Sequence, residues 1–132
     1  MKLVADANIL FSLVKKGSST QYLVDNFNLQ LISVDFVLDE LYNHKIELLK
    51  KSKLNSFDDV KKILDHYVIF VDAKSIKKEL KEVAKLISDE NDIIYLALAK
   101  KYDLVVWSND NHFKKQSLIK ILTTADLVKL LY

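Results

Sequence analysis

The stretch Lys2-Leu3-Val4-Ala5-Asp6 sets a short apolar run directly before an acidic residue. Such a run predicts a buried β-strand that ends at Asp6. A stretch of the same kind lies near the other end of the chain, where residues 104–107 are apolar and Ser108-Asn109-Asp110 follows them. Because parallel strands end at the same edge of a sheet, we expect Asp6 and Asp110 to converge if these two strands are neighbours.

Strands alternate with helices along the rest of the chain. We predict strands at residues 2–5, 29–33, 67–71, 104–107 and 118–122. We predict helices at residues 8–15, 18–27, 35–49, 57–65, 76–87, 89–102 and 124–131. Short apolar strands separated by helices are typical of a mostly parallel sheet that is covered on both faces. No linker or repeat interrupts the sequence, so we expect a single domain, residues 1–132.

The composition excludes several classes of protein. There is no cysteine, which excludes disulfide staples, thiolate zinc sites and cysteine nucleophiles. A single glycine, Gly17, excludes the Gly-rich loops that bind nucleotide phosphates. The 20 basic residues, all of them lysine, face 18 acidic residues, and the net charge of +2 is not typical of a strongly basic nucleic-acid binder.

The hydropathy pattern predicts neither a membrane span nor an export signal. No run of 18 apolar residues is present, so no segment is expected to cross a membrane. Asp6 comes too early in the chain for a signal peptide. We therefore expect a cytoplasmic protein.

Two further acidic residues are placed to join Asp6 and Asp110 at the same edge of the sheet. Glu40 lies at the flank of the apolar stripe of its predicted helix, and Asp92 lies in the first turn of an apolar helix. Four carboxylates in one pocket raise one another's pKa, and a hard divalent cation relieves their repulsion. The lack of cysteine, and of histidines at ligand spacing, favours Mg²⁺ or Mn²⁺ over zinc.

Each of these four residues also has a structural explanation when it is considered alone. Asp6 is a reasonable strand-end turn residue, and Asp110 is a reasonable helix N-cap. Asp92 complements a helix dipole, and Glu40 alone is typical of a helix surface. The metal-site interpretation therefore depends on the four residues acting together.

The segments that carry these acids resemble, in order, the motifs of the PIN domain, a family of small metal-dependent ribonucleases that includes the toxins of VapBC toxin–antitoxin pairs. The segments are LVADAN (3–8), SVDFVLDEL (33–41), DENDIIYLALA (89–99) and VVWSNDNHF (105–113). The resemblance covers nearly the whole chain and implies a three-layer α/β/α sandwich with about five strands. It also implies that the catalytic, metal-binding carboxylates are Asp6, Glu40, Asp92 and Asp110.

The resemblance further implies supporting residues around the carboxylates. Asn8 and Ser108 are expected to orient a carboxylate or a bound water through hydrogen bonds. Asp89 is an additional acid near Asp92, and either of them is a possible primary ligand. We prefer Asp92 because the Ala-rich stretch follows it as in the family.

Three residues beyond the fourth acid are candidates for contact with the substrate. Lys114 and Lys115 follow Asp110 closely, and we expect them at the mouth of the acidic pocket, where an RNA backbone passes. His112 is expected to be a solvated loop residue, with contact to the substrate as the alternative.

These features together predict a metal-dependent endoribonuclease that hydrolyses RNA phosphodiesters with Mg²⁺ or Mn²⁺. The resemblance implies a cognate antitoxin as a partner if the chain is a toxin, and pairing into a homodimer. Two alternatives remain open. The first is a non-catalytic PIN-like module that binds RNA or protein. The second is a metal-dependent phosphohydrolase that acts on small phosphate esters.

Overall fold

The structure, a computed structural model, describes residues 1–132 and contains five strands, eight α-helices and two 3-10 helices. The strands are β1 (Lys2–Ala5), β2 (Gln30–Val34), β3 (Val68–Val71), β4 (Val105–Trp107) and β5 (Ile121–Leu122). The α-helices are α1 (Ala7–Leu13), α2 (Ser19–Asn26), α3 (Val37–Asn43), α4 (Lys45–Ser52), α5 (Phe57–Tyr67), α6 (Lys77–Val83), α7 (Glu90–Tyr102) and α8 (Thr124–Leu131). The 3-10 helices are Ala73–Ile76 and Asn111–Lys115. Strands and helices alternate, so the predicted α/β class is confirmed.

The five strands form one parallel sheet in the order β3-β2-β1-β4-β5. Leu3 in the central strand β1 aligns with Leu31 of β2 on one side and with Val105 of β4 on the other. The chain winds from β1 towards β3 and then returns to the other side of β1 for β4 and β5. Right-handed connections therefore place helices on both faces, which gives the predicted three-layer sandwich. The gap between the carboxyl ends of β1 and β4 is the topological switch point, where such sheets bind ligands.

The core fixes the ends of β1 and β4 beside each other. Leu3, Val4 and Ala5 of β1 are fully buried, as is Trp107 at the end of β4. The indole N–H of Trp107 donates to Oγ1 of Thr124 at 3.0 Å, which ties the start of α8 to the sheet. The apolar helix α7 packs against β1, β2 and β4. None of the helices has the length and apolar character needed to cross a membrane.

The single helix predicted at residues 35–49 is in fact two helices. Asp35 belongs to the turn after β2, where its side chain accepts a hydrogen bond from the N–H of Ala73 at 3.2 Å. His44 has a non-helical backbone and separates α3 from α4. Histidine is a weak helix former, and Leu48 of the second helix is fully buried in the core.

The helix predicted at residues 76–87 is also shorter in the structure. Ile76 lies in a 3-10 helix, α6 ends at Val83, and residues 84–88 form an irregular segment. Ile87 is nevertheless buried. The apolar spacing therefore identified the buried positions correctly but not the ends of the helix.

The fifth strand is much shorter than the predicted residues 118–122. Only Ile121 and Leu122 pair with β4. The Gln116 side chain accepts a hydrogen bond from the N–H of Ile119 and donates one to its carbonyl, both at 2.8 Å. These bonds hold the preceding residues in a turn, and Leu118 is exposed.

Candidate metal centre

Asp6 is buried at the carboxyl end of β1 and is 4% exposed. Its Oδ1 accepts a hydrogen bond from the N–H of Ile9 at 2.9 Å and caps α1, and its Oδ2 accepts one from the hydroxyl of Ser108. Burial raises the pKa of Asp6 above its usual range, and the charges of Asp110 and Glu40 raise it further, whereas the two hydrogen bonds oppose this shift. Asp6 is therefore both a helix cap and a member of a cluster of acids.

Asp110 follows β4, and Ser108 links it to Asp6. The hydroxyl oxygen of Ser108 accepts a hydrogen bond from the N–H of Asp110 at 3.0 Å. Oδ1 of Asp110 in turn accepts one from the N–H of His112 at 2.9 Å and lies 3.2 Å from Nδ1 of the same residue. A single serine thus orders the two acids that the sequence predicts to converge.

Asp92 approaches the same edge from the first turn of α7. Burial raises its pKa to about 6, and the negative charges of Asp89, Asp110 and Asp6 contribute in that order. Its Oδ2 is buried and has no hydrogen-bond partner in the protein. A carboxylate oxygen that has no donor, among other carboxylates, favours the binding of a cation.

Glu40 is the fourth predicted acid, and it belongs to the first turn of α3. It is partly exposed, and no ion pair neutralises it. Its charge contributes to the raised pKa of Asp6 and to that of the Tyr95 hydroxyl. Glu40 therefore lies near enough to act electrostatically on the other acids.

The fold itself offsets part of the repulsion between these acids. Three helices begin at this edge of the sheet: Asp6 caps α1, while Glu40 and Asp92 lie in the first turns of α3 and α7. The positive end of a helix dipole stabilises a nearby carboxylate. The acids are thus placed where the backbone best tolerates negative charge.

The geometry of three residues fits a divalent cation. Asp92, Asp110 and His112 each offer one ligand atom, and these atoms lie within 4.8 Å of one another. Ligands on opposite sides of a Mg²⁺ ion are about 4.2 Å apart, so small movements suffice for coordination. A cation would also satisfy the unpartnered Oδ2 of Asp92. A donor set dominated by carboxylates is the kind that Mg²⁺ and Mn²⁺ prefer.

The predicted supporting residues differ in how they relate to this cluster. Asn8 lies in the first turn of α1 and is exposed. Asp89 caps α7 through a hydrogen bond from the N–H of Asn91 at 2.9 Å. The ammonium group of Lys114 forms an ion pair with Asp126 of α8 at 3.0 Å. It is therefore not free to bind a phosphate at the mouth of the pocket. Ser108 alone among them bonds directly to one of the four acids.

A groove of about 530 Å³ adjoins the acidic cluster. Asp89 and His112, which adjoin Asp92 and Asp110, line this groove, and so do Lys85 and Lys115 from separate segments of the chain. Neither lysine has an ion-pair partner. The groove therefore adjoins the acidic residues and is lined by two lysine side chains whose charges are not paired.

Tyr95 lies near these acids, although the apolar residues around it in the sequence give no sign of this. It lies one helical turn after Asp92, and its buried hydroxyl finds no hydrogen-bond acceptor in the protein. The available signal in the sequence is a hydroxyl three residues after the predicted ligand, on the same face of the helix. His112 is exposed, as expected of a loop histidine, but it also lies against Asp110.

The fold and the cluster define a class: a parallel α/β protein with convergent carboxylates at its topological switch point. A family model described as PIN domain matches residues 4–129, and the chain therefore belongs to the PIN domain family. The fold is also similar to that of a chain in the crystal structure of VapBC2 from Rickettsia felis bound to a DNA fragment from their promoter. That similarity has a TM-score of 0.61 at 18% identity and covers 93% of this chain and 98% of the other. No curated protein matches this chain.

Proposed function

We propose that this PIN domain is an endoribonuclease that depends on Mg²⁺ or Mn²⁺ and hydrolyses RNA phosphodiesters. The observation that carries the proposal is the convergence of Asp6, Asp92 and Asp110, with an unpartnered carboxylate oxygen on Asp92. Mutually repelling buried acids destabilise a fold unless a cation joins them. The membership of the PIN domain family supports the same proposal.

The four acids have distinct roles in this proposal. Asp92 and Asp110, with His112, hold the cation, because their ligand atoms are already close together. Asp6, which is buried, and Glu40, which is partly exposed, would supply further carboxylate oxygens to such a cation. A bound divalent ion supplies Lewis acidity and makes water a nucleophile near neutral pH.

Ser108 and the remaining predicted residues act around the acids. Ser108 fixes the orientation of Asp6 through its hydrogen bond. Asp89 adds negative charge beside Asp92 and is a further possible ligand. Asn8, exposed at the start of α1, is placed to contact a water or the substrate and not the buried side of the cluster.

The groove beside the cluster is the proposed path of the RNA backbone. Lys115 and Lys85 provide free ammonium groups there, and phosphates bind such groups through charge. Lys114 is a weaker candidate than its neighbour because it is paired with Asp126. We therefore assign backbone contacts first to Lys115 and Lys85.

The proposed function extends to partners. The similar structure is of VapBC2, which supports the proposal that this chain is the toxin of a toxin–antitoxin pair and has a cognate antitoxin. Pairing into a homodimer is proposed on the family resemblance. An RNA substrate implies action in the cytoplasm.

The decisive experiment compares RNA cleavage by the wild-type protein and by Asp6→Asn in Mn²⁺, Mg²⁺ and EDTA. An asparagine retains the oxygen that caps α1, so the fold is expected to persist. We expect cleavage with Mn²⁺ or Mg²⁺ only, 5′-phosphate on the products, and loss of activity in the variant. The exposed Asp39→Asn on α3 is the matched control and is expected to be fully active.

Other outcomes separate the alternative functions. Metal-dependent cleavage that persists in Asp6→Asn would contradict the assigned site. Hydrolysis of a chromogenic phosphomonoester, without cleavage of any RNA, would instead indicate a phosphohydrolase of small esters. RNA binding without hydrolysis of either substrate would indicate a non-catalytic module.

A further inference from the structure

Tyr95 carries a buried hydroxyl group that makes no hydrogen bond of ordinary geometry. The backbone N–H of Ala7 lies near enough to lower the pKa of this group, but an N–H only donates, so the hydroxyl hydrogen has no acceptor. The residue is 2% exposed. Leaving a hydroxyl unpaired away from water costs free energy, and native proteins rarely keep such a group without a further reason. A phenylalanine would fill the same space without this cost, so the oxygen atom itself needs an explanation.

The position of Tyr95 on α7 directs the hydroxyl to the acidic cluster. Tyr95 follows Asp92 by three residues and therefore shares its helix face. Side chains on a helix lean towards its N-terminus, which brings the Tyr95 ring to the level of Asp92. The ring packs edge-on against Phe113, with centroids 6.3 Å apart, so its position is fixed.

The surroundings of the hydroxyl are acidic. Burial raises the pKa of Tyr95 most, and the negative charges of Glu40, Asp6 and Asp92 raise it further. A tyrosine hydroxyl is a hydrogen-bond donor at neutral pH without any such shift. Every acid around it is a potential acceptor.

Glu40 is the acceptor that the structure favours. The two oxygens of Asp6 already accept hydrogen bonds from Ile9 and Ser108. Asp92 lies on the same helix as Tyr95, and its Oδ2 is also unpartnered, so the two groups do not pair in this structure. Glu40 lies on a separate helix, is partly exposed and has no ion-pair partner.

We propose that Tyr95 is a positioning residue of the metal centre, whose hydroxyl donates a hydrogen bond to the Glu40 carboxylate and holds that carboxylate towards a divalent cation. The hydroxyl makes no hydrogen bond to Glu40 in the metal-free protein, and a cation that draws the Glu40 carboxylate towards the other acids would bring the two groups together. The inference rests on the proposed metal-dependent function and adds a residue to its site.

The first test measures Mn²⁺ affinity and metal-free melting temperature in Tyr95→Phe. We expect Mn²⁺ to bind about 10-fold more weakly, as is common when a group that orients a metal ligand is lost. The metal-free melting temperature is expected to stay unchanged or to rise, because the variant removes an unpaired hydroxyl. Tyr102→Phe, an exposed tyrosine at the end of the same helix, is the control and should change neither value.

A double-mutant cycle with Glu40→Ala tests the partner. If Tyr95 acts through Glu40, Tyr95→Phe causes no further loss of Mn²⁺ affinity in the Glu40→Ala background. An equal loss in both backgrounds would overturn Glu40 as the acceptor. Unchanged Mn²⁺ affinity in Tyr95→Phe, or a lower metal-free melting temperature that accounts for the loss, would overturn the positioning role.

The same measurements separate this inference from the proposed function. Wild-type protein that binds Mn²⁺ but cleaves no RNA would contradict the ribonuclease, while the effect of Tyr95→Phe on Mn²⁺ binding would still decide the role of Tyr95. Wild-type protein that binds no Mn²⁺ would overturn the metal centre and, with it, the role given to Tyr95.

Discussion

The hydroxyl of Ser108 donates a hydrogen bond to Oδ2 of Asp6 and so joins the ends of β4 and β1, which are 102 residues apart in sequence. The same oxygen accepts a hydrogen bond from the N–H of Asp110 at 3.0 Å. Ser108 is fully buried. This serine is therefore the residue through which the fold sets the spacing of two predicted metal ligands.

Replacing Ser108 by alanine should weaken both the fold and the metal site. Loss of a buried hydrogen bond to a carboxylate is expected to reduce the free energy of unfolding by about 1–2 kcal/mol, measured by urea denaturation. The Ser108 hydrogen bond lowers the pKa of Asp6, so its loss should raise that pKa further and move Mn²⁺ binding to higher pH. Ser108→Thr retains the hydroxyl and should restore the pH dependence. If Mn²⁺ binding had the same pH dependence in wild type and in Ser108→Ala, this role of Ser108 would be contradicted.

Asp92 should make the metal-free protein less stable as the pH rises. Its pKa is about 6 in the folded protein against 3.8 ordinarily, so between these values the folded protein retains a proton that the unfolded chain has released. Stability from this group is thus present at low pH and is lost as the pH rises through 6. Asp92→Asn should therefore melt higher than wild type at pH 7.5 in EDTA, and the difference should shrink towards pH 5.

With Mn²⁺ present at pH 7.5, the wild-type protein should instead have a higher melting temperature than Asp92→Asn. The cation stabilises only a protein that can bind it, so wild type should gain melting temperature and Asp92→Asn should not. Asp39→Asn provides the control for loss of an exposed negative charge. A lower melting temperature for Asp92→Asn in EDTA would show that the carboxylate stabilises the fold and would contradict the repulsion described above.

The positions of the strands, and the sheet edge at which the acids lie, followed from local sequence patterns because both depend on short-range features. The strand order, which makes β1 and β4 neighbours, did not follow from the sequence. A four-residue apolar run ending at Asp6 predicts a strand and its end, and the parallel sheet then fixes which edge Asp6 occupies. The break at His44 did not follow, because it depends on Leu48 reaching the core. The short β5 was also missed, since hydrogen bonds from Gln116 override strand propensity in the preceding residues.

Some residues of the candidate site could be predicted from the sequence and others could not, because the latter depend on contacts in the folded chain. The sequence predicted that the four acids lie near one another, but it did not single out Tyr95, because a tyrosine in an apolar helix gives no sign of whether its hydroxyl is paired. It also treated Lys114 and Lys115 alike. The contact between Lys114 and Asp126, which separates them, exists only in the folded chain.

Removal of divalent metal should lower the stability of the wild-type protein. A ligand at 100 times its Kd stabilises a fold by about 2.7 kcal/mol, which corresponds to a shift of several degrees in melting temperature. We therefore expect Mn²⁺ or Mg²⁺ to raise the melting temperature above its value in EDTA. The shift should disappear in Asp110→Asn, whose side chain is among the closest potential ligands. A shift of the same size in wild type and Asp110→Asn would place the metal elsewhere.

The two adjacent lysines should differ in their contribution to RNA binding. Each phosphate contact that a single-stranded RNA makes with a lysine contributes about 0.7 to the slope of log affinity against log salt. In the Asp6→Asn background, with EDTA to prevent cleavage, Lys115→Gln and Lys85→Gln should each reduce this slope by about that amount. Lys114→Gln should leave the slope nearly unchanged, because its ammonium group is already paired with Asp126.

The contrast between Lys114 and Lys115 makes this prediction specific to the groove. Both substitutions remove one positive charge from the same 3-10 helix, so a general effect of net charge would be equal for the two. Lys115 shares the lining of the groove with Lys85, Asp89 and His112, and Lys114 does not line it. If Lys114→Gln reduced the salt slope as much as Lys115→Gln, the RNA backbone would have to pass over α8, and the groove would lose its assigned role.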